Sequence, residues 1–250
     1  VYSALSRAKL PWYFHMLHAV KGFISGAAPL AEETMRKFGE SFKRGKLLQG
    51  YGISECSPVV STNVPWSNRI GSVGQALPSY QVECFDEQMQ PVARDAIGEI
   101  CVKGDCVMLG YFNRPNDTAE AIVDGWFRTG DIGKVDQDGF IYILDRKKDL
   151  IISKGMNIYP REIEEIIYTH DKVNACAVVG VRDLEANETP VAYIELKEDI
   201  SATEAEIKDF IRPHLAPFKQ PRKIIFMEKL PRNATGKILK RELRELANKT

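Results

Sequence analysis

The sequence lacks the features that mark several large classes of protein. No apolar run approaches the roughly 18 residues of a membrane helix, and residues 1–5 lack the charged-then-apolar order of a signal peptide. The chain has no net charge, because 34 Lys and Arg balance 34 Asp and Glu, so no overall field draws it to nucleic acid or to an anionic membrane. The five cysteines are an odd number without a C-x-x-C pair, which argues against disulfides and zinc. We therefore expect a cytoplasmic protein with no nucleic-acid partner and no transmembrane segment, while peripheral membrane contact stays open.

Three familiar catalytic signatures are also missing. Residues 231–238 are similar to a P-loop, but Pro231 replaces the first Gly and Ile238 follows the Lys where Ser or Thr holds magnesium. Residues 52–56 are similar to the nucleophile elbow of serine hydrolases, but Cys56 stands where the second Gly allows the strained turn. No G-x-G-x-x-G occurs. A P-loop enzyme, a serine hydrolase and a dinucleotide oxidoreductase are therefore disfavoured.

Hydrophobic patterning divides the 250 residues into three parts. Residues 1–70 have an α/β pattern, residues 71–145 form a β-rich subdomain of short alternating strands, and residues 146–250 have an α+β pattern. The charge-dense run 145–149 is the predicted boundary between two domains. The predicted elements are a broken helix in 1–20, strands at 21–26, 46–51, 81–85, 99–102, 175–181 and 191–196, and helices at 29–42, 160–168 and 203–215.

Two segments carry small residues where a nucleotide base could lie. The first is Gly26, Ala27 and Ala28, whose small side chains let a flat ring approach the backbone; the alternative is a tight turn between strand and helix. The second places an aromatic ring between two glycines, followed by a hydroxyl and a carboxylate: Gly50, Tyr51, Gly52, Ser54 and Glu55. This order suits stacking of a base and a hard cation at phosphate oxygens, and the alternative is a Gly-rich turn with a buried tyrosine.

Two later segments add charged candidates. Asp131 ends the run 124–131 and can accept both hydroxyls of a ribose, whereas its alternative is a turn cap. Arg146 follows and can join Asp131 at the sugar. Lys237 comes after Thr235 and Gly236 and would be a mobile ammonium; its alternative is a solvated lysine that opens the last helix. The order of all four segments favours the functional interpretation over four separate coincidences.

In that order the segments closely resemble the adenylate-forming ligases: acyl-CoA synthetases, luciferases and the adenylation domains of peptide synthetases. The resemblance covers nearly the whole chain. Residues 51–55 are similar to the family's Y-G-x-T-E, with Ser54 in place of Thr, and residues 231–237 to its P-x-x-x-x-G-K. The resemblance to these ligases implies an α/β and α+β fold. Residues 1–145 would be the end of a large α/β adenylate-forming domain, and residues 146–250 a small mobile α+β domain joined by a hinge at 146–149.

The resemblance also implies roles for the candidate residues. Asp131 and Arg146 would bind ribose, Glu55 would hold Mg²⁺, and Lys237 would bridge two anions while ATP and a carboxylic acid form an acyl-adenylate. Lys148 matches the hinge. After rotation of the small domain, Lys154 and Gly155 would replace Lys237 and leave room for the coenzyme A thiol. The implied cofactors are ATP, Mg²⁺ and coenzyme A.

Among these ligases the chain is most similar to fatty acyl-CoA synthetases, on the segments Cys56-Ser57-Pro58, 124–126 and 129–131. An aryl or other acyl-CoA ligase shares much of the same spacing. The family's Ser/Thr/Gly-rich phosphate loop has no counterpart in these residues, so we expect the missing N-terminal part of the same enzyme to be a partner and this chain to be inactive alone. A non-catalytic AMP-binding fragment is the remaining alternative.

Overall fold

The computed structural model describes residues 2–5, 11, 19–26, 30, 32–183, 185, 187–234 and 236–247. Most of the helix predicted in 1–20 and the candidates Ala27 and Ala28 lie outside these residues. The chain divides into two compact units, Val1–Lys147 and Lys148–Thr250, and this division falls inside the segment 146–149. Within the described residues, no helix is both long and apolar enough to cross a membrane.

The first unit opens on a strand, helix, strand arrangement. Its elements are α1 (Tyr2–Leu5), β1 (Gly22–Ser25), α2 (Glu32–Ser41) and β2 (Lys46–Tyr51). Strands β1 and β2 are parallel, with Ser25 opposite Gln49. Helix α2 starts on Glu32 and Glu33, whose charges suit the positive end of its dipole. The helix stops at Ser41, before Lys43 and Arg44, so its last turn carries no basic residue.

The buried face of α2 explains why it packs on the strands. Met35, Phe38 and Phe42 recur at helical spacing and are 5%, 0% and 3% exposed. The rings of Phe38 and Phe42 stack with centroids 4.4 Å apart, and Phe23 of β1 meets Phe38 edge-to-face. Offset and edge-to-face rings add to the free energy of burial. This cluster fixes the orientation of β1 and β2 and therefore of their carboxyl ends.

The rest of the first unit is β-rich, as predicted. Its elements are a 3₁₀ turn (Ser54–Cys56), β3 (Ser61–Thr62), β4 (Gln75–Ala76), β5 (Tyr80–Phe85), β6 (Gly98–Gly104), α3 (Pro115–Ala121), β7 (Ile122–Val123), β8 (Trp126–Val135) and β9 (Ile141–Arg146). Strands β3 and β4 extend the first sheet as the order β1-β2-β3-β4, and β5 to β9 form a separate antiparallel sheet. Side chains of both sheets share one core that includes Val60, Ile100 and Ile141.

The second unit is a small α+β domain. After a 3₁₀ turn (Lys147–Asp149) come β10 (Ile151–Ser153), β11 (Met156–Ile158), α4 (Pro160–Tyr168), β12 (Val173–Asp183), β13 (Asn187–Leu196), α5 (Glu204–Ile211), two further 3₁₀ turns (Arg212–His214 and Pro217–Lys219), β14 (Lys223–Phe226) and α6 (Lys240–Ala247). Strand β13 pairs with β10, β12 and β14. Alternate residues of β12 enter two cores: Val178 packs with Ile163 and Ile207, whereas Val179 packs with Leu243 of α6.

Candidate active site

The first two glycine segments meet at the carboxyl edge of β1 and β2. Gly26 follows β1 and Gly50 lies near the end of β2, and a Cβ built on Gly26 would lie 3.6 Å from the carbonyl oxygen of Gly50. That is an ordinary van der Waals contact distance, so the two glycines lie side by side at this edge. In α/β sheets, ligands bind outside the carboxyl ends of parallel strands. The position of these glycines therefore fits a ligand-binding edge.

Gly52 is required by the close approach of the chain to itself. A Cβ at Gly52 would lie 1.7 Å from the carbonyl oxygen of Pro58, which is backbone and cannot move aside cheaply. The turn that follows, Ser54–Cys56, closes with the amide of Cys56 donating to the carbonyl of Ile53 at 3.0 Å. Gly52 thus folds the motif back, and this places Ser54 and Glu55 just beyond the end of β2.

Tyr51, Asp131 and Arg146 form one hydrogen-bonded cluster. The Tyr51 hydroxyl donates to Oδ2 of Asp131 at 2.6 Å, and Nε of Arg146 donates to Oδ1 at 2.9 Å. Burial, together with the charge of Asp131, raises the pKa of Tyr51. A carboxylate has about four acceptor sites, so Asp131 can accept further hydroxyls while it keeps both partners. The predicted pairing of Asp131 with Arg146 is therefore present.

A bulge in β8 presents Asp131 to the site. Strand β6 pairs Glu99 with Ile132 and Cys101 with Arg128, so the single residue Ile100 faces 129–131 on the other strand. The extra residues are held in place: the Thr129 hydroxyl donates to the carbonyl of Ile100 at 2.7 Å, and the amide of Gly130 donates to Oε1 of Glu99 at 3.3 Å. Bulges commonly re-aim a side chain beside an active site.

Glu99 is a buried carboxylate that the sequence analysis did not single out. It is 5% exposed, and its Oε2 accepts from Nη2 of Arg128 at 2.8 Å and from Nζ of Lys147 at 3.0 Å. Burial opposes ionisation, but these two hydrogen bonds outweigh it and lower the pKa of Glu99. A charged residue inside the apolar run 98–102 was the available signal, because such a residue is rarely buried without partners.

Glu55 has one side-chain partner that was also missed. The Tyr111 hydroxyl donates to its Oε1 at 3.0 Å, and the amide of Met108 donates to its carbonyl at 2.8 Å. Ser54, the preceding residue, is exposed. Across the described ranges, no group of three or more His, Cys, Asp or Glu side chains converges on a metal position. One carboxylate suits Mg²⁺ that is held mainly by phosphate oxygens, so the residues fit the magnesium role expected for Glu55.

A cleft of about 760 Å³ adjoins these groups in the first unit. Tyr111, Arg128, Thr129 and Gly130 line it together with Glu99. The cleft therefore lies between the partner of Glu55 and the bulge that presents Asp131.

Lys237 lies in a closed turn of the second unit. Asn233 holds its backbone on both sides, accepting from the Lys237 amide at Oδ1 and donating its own amide to the Lys237 carbonyl, each at 2.9 Å. Arg232 and Ile238 form an antiparallel β-bridge at the base of the turn. Lys237 itself is exposed. The alternative of a solvated lysine that opens the last helix holds in part: Lys237 is exposed, but helix α6 begins only at Lys240. Thr235, within this turn, lies outside the described residues.

Lys154 and Gly155 form the two-residue loop of the β10–β11 hairpin. Ser153 pairs with Met156, and φ is 49° at Lys154 and 77° at Gly155. Positive φ at both positions is the geometry of a tight hairpin turn. The Ile152 amide donates to Oε2 of Glu188 at 3.0 Å and fixes the hairpin to the next sheet strand. Among the described residues, apart from its chain neighbours, no atom lies within 4 Å of a Cβ built on Gly155, so there is open space beside this residue.

Comparisons with known proteins agree with the order of these segments. Residues 3–112 match the family described as AMP-binding enzyme, and residues 162–237 match the family described as AMP-binding enzyme C-terminal domain. A long-chain-fatty-acid–CoA ligase of Bacillus subtilis (strain 168) is 45% identical over 231 residues, which are 92% of this chain and 41% of the relative. The chain spans about two fifths of the length of the curated relatives that it matches.

Two solved structures have the same fold. ATP-bound MatB from Rhodopseudomonas palustris is 38% identical with a TM-score of 0.86, over 90% of this chain and 45% of that one. The o-succinylbenzoate CoA synthetase (MenE) from Bacillus subtilis, in complex with its acyl-adenylate intermediate OSB-AMP, is 34% identical with a TM-score of 0.80, over 90% of this chain and 46% of that one.

Proposed function

Since this chain belongs to the family of AMP-binding enzymes, we propose that it is the carboxy-terminal part of a ligase that uses ATP to join a fatty acid to coenzyme A. The observation that carries the nucleotide assignment is the cluster of Tyr51, Asp131 and Arg146. It sets a buried carboxylate with spare acceptor sites beside the glycine edge of the sheet. ATP, Mg²⁺ and coenzyme A are the proposed cofactor set.

The first half-reaction requires two anions to meet. A carboxylate oxygen of the acid bonds to the α-phosphorus of ATP and the bond to pyrophosphate breaks, which leaves an acyl-adenylate. Lys237 would neutralise charge that develops between these groups, and Asp131 would fix the ribose. Magnesium, when bound beside Glu55, would supply further positive charge at the phosphate oxygens.

In the second half-reaction, coenzyme A displaces AMP from the acyl group. The thiol sulfur of coenzyme A bonds to the acyl carbon, the thiol proton is lost, and AMP leaves. This step needs an entry for the pantetheine arm rather than a lysine at phosphorus. Rotation about Lys148 would move Lys237 away from the reacting groups and bring Lys154 and Gly155 to them. The open space beside Gly155 among the described residues supports a role in admitting the thiol.

Two relatives favour different carboxylic acids as the substrate. The Bacillus subtilis ligase at 45% identity acts on long-chain fatty acids by its name, which agrees with the segments around Cys56 and Asp131. The o-succinylbenzoate CoA synthetase at 34% identity favours an aryl acid instead. We propose a fatty acid, with an aryl or other acyl-CoA ligase as the second candidate.

Product analysis of the complete enzyme tests the proposed substrate class. We expect palmitate and octanoate to give acyl-CoA and AMP, with kcat/KM at least about tenfold above that for benzoate or o-succinylbenzoate, because each buried methylene adds to discrimination. A reverse order would establish the aryl ligase. If no acid gives a thioester while AMP still protects the chain against heat, the non-catalytic AMP-binding fragment is the better description.

The ribose assignment gives a second prediction, which the 250-residue chain itself can test. Asp131→Ala should abolish the rise in Tm that saturating AMP produces in the unchanged chain, because a ligand stabilises only the state that binds it. The substitution also leaves the Tyr51 hydroxyl without its acceptor, so we expect about 1–3 kcal/mol lower stability without AMP. The AMP effect is therefore measured relative to each variant's own Tm.

Asp138→Ala is the matched control for Asp131→Ala. Asp138 also accepts from an arginine, Arg69 at 2.8 Å, but its side chain is 67% exposed and lies outside the cluster. This variant should keep the full AMP effect. Protection that persists in Asp131→Ala would mean that Asp131 only caps its turn.

A further inference from the structure

Lys148 follows directly on a residue that is anchored within the first unit. Nζ of Lys147 donates to the buried carboxylate of Glu99 at 3.0 Å. The Glu99 side chain is 6% exposed and is itself fixed by Arg128 at 2.8 Å, so the anchor point is rigid. Lys147 is therefore tied to strand β6 by a contact that lies wholly inside one unit.

The residue on the other side of Lys148 is anchored within the second unit. Nη2 of Arg244, on helix α6, donates to Oδ1 of Asp149 at 2.6 Å and to the carbonyl oxygen of Lys148 at 3.4 Å. The side chains of Arg244 and Asp149 are 29% and 14% exposed, so solvent screens this pair less than a surface pair. The neighbouring Leu243 is fully buried and fixes the helix that carries Arg244.

We propose that these two ion pairs are paired anchors that confine the hinge to a single residue. With Lys147 held to one unit and Asp149 to the other, the backbone torsions of Lys148 are the ones left to change between them. Arg244 and Lys147 are then positioning residues for domain rotation, and neither touches a substrate. This inference rests on the proposed function, because it assigns a device to the alternation between two half-reactions.

A suppression experiment in the complete enzyme tests the anchors. Lys148→Pro fixes φ at the hinge and should lower thioester formation from pre-formed acyl-adenylate by about a hundredfold. Adding Arg244→Met releases Asp149, so rotation can use its torsions instead. We expect the double variant to regain about tenfold of that rate, a coupling of the size found between neighbouring residues. Lys147→Met in the Lys148→Pro background should also restore part of the rate.

Arg241→Met is the control on the same helix. Arg241 forms an ion pair with Glu245 at 3.0 Å, and its side chain is 89% exposed, so its loss should give no suppression. Tm values of all variants exclude a difference in folding. A merely structural role for Arg244 would make the double variant slower than Lys148→Pro, and this result would overturn the inference, as would equal suppression by Arg241→Met.

The outcome separates this inference from the proposed function. If the unchanged enzyme makes thioester but Lys148→Pro does so at the same rate, the single-residue hinge is wrong and the ligase stands. If the unchanged enzyme makes no thioester with any acid, the proposed function fails and the anchors lose their role with it.

Discussion

Lys237→Ala in the complete enzyme is expected to lower the rate of acyl-adenylate formation by roughly 10²–10³, the loss typical of removing one preorganised charge at a developing anion. The lysine backbone is clamped by Asn233 through its amide and its carbonyl. Because alanine keeps both contacts, the turn should survive and only the ammonium should be lost. The rate is measured as acid-dependent exchange of labelled pyrophosphate into ATP.

The second half-reaction provides the internal control for Lys237→Ala. Given pre-formed acyl-adenylate and coenzyme A, the variant should make thioester at close to the normal rate, because no phosphoryl transfer remains. Lys229→Ala removes another exposed lysine of the same unit and should leave both rates unchanged. If Lys237→Ala lowered the rates of both half-reactions equally, the assignment of Lys237 to adenylate formation alone would be wrong. General destabilisation of the protein lowers both rates together.

Regular elements with strong periodicity could be predicted from the sequence. The strand at 46–51 and the helix at 160–168 are found with the predicted bounds. The helix predicted at 203–215 ends earlier, at Ile211, and continues as a 3₁₀ turn. Pro213 is the physical reason, because proline lacks an amide hydrogen and disfavours helical geometry in the residue before it.

The candidate site could be predicted only where its residues form a local motif. Tyr51 and Glu55 belong to one short segment. Asp131 ends another segment and Arg146 follows it, so the residues themselves made these two candidates for the sugar. Tyr111, the partner of Glu55, and Glu99, which accepts from Lys147 and from the Gly130 amide, lie far from these partners along the chain. Such long-range pairing leaves no periodic trace in the sequence. The structure also gives Tyr51 a contact that the sequence did not predict. The sequence predicts that its ring stacks on a base, whereas the structure shows its hydroxyl donating to Asp131.

The glycines of the candidate site differ in whether packing alone explains why glycine is present. Gly52 is fixed by the backbone of Pro58, 1.7 Å from a built Cβ, so its presence says nothing about a ligand. At Gly155, no atom of the described residues beyond its chain neighbours lies within 4 Å of such a Cβ. Its positive φ of 77° accounts for glycine in part, but Asn tolerates that conformation at modest cost. A requirement for glycine that Asn cannot meet would therefore point to an incoming group.

Gly155→Asn in the complete enzyme is expected to lower thioester formation from pre-formed acyl-adenylate by about a hundredfold. The new side chain would fill the space through which the thiol is proposed to enter. Adenylate formation should stay within about threefold, because the proposed function assigns Lys237 to that step and the β10–β11 hairpin to the other. Since Asn adopts positive φ, the hairpin should persist, and the free energy of unfolding should fall by no more than about 1 kcal/mol.

Gly139→Asn is the matched control for backbone strain. Gly139 has φ 83°, and within the part of the chain that the structure describes its built Cβ meets only Nε2 of Gln75, at 4.0 Å. The same substitution there imposes the same conformational cost but falls in the first unit, whereas the hairpin belongs to the second. Both half-reactions should keep their rates. If Gly155→Asn leaves thioester formation unchanged, the hairpin does not line the thiol path. If it lowers both half-reactions equally, the defect lies in folding, and the assignment of Gly155 to the second step is wrong.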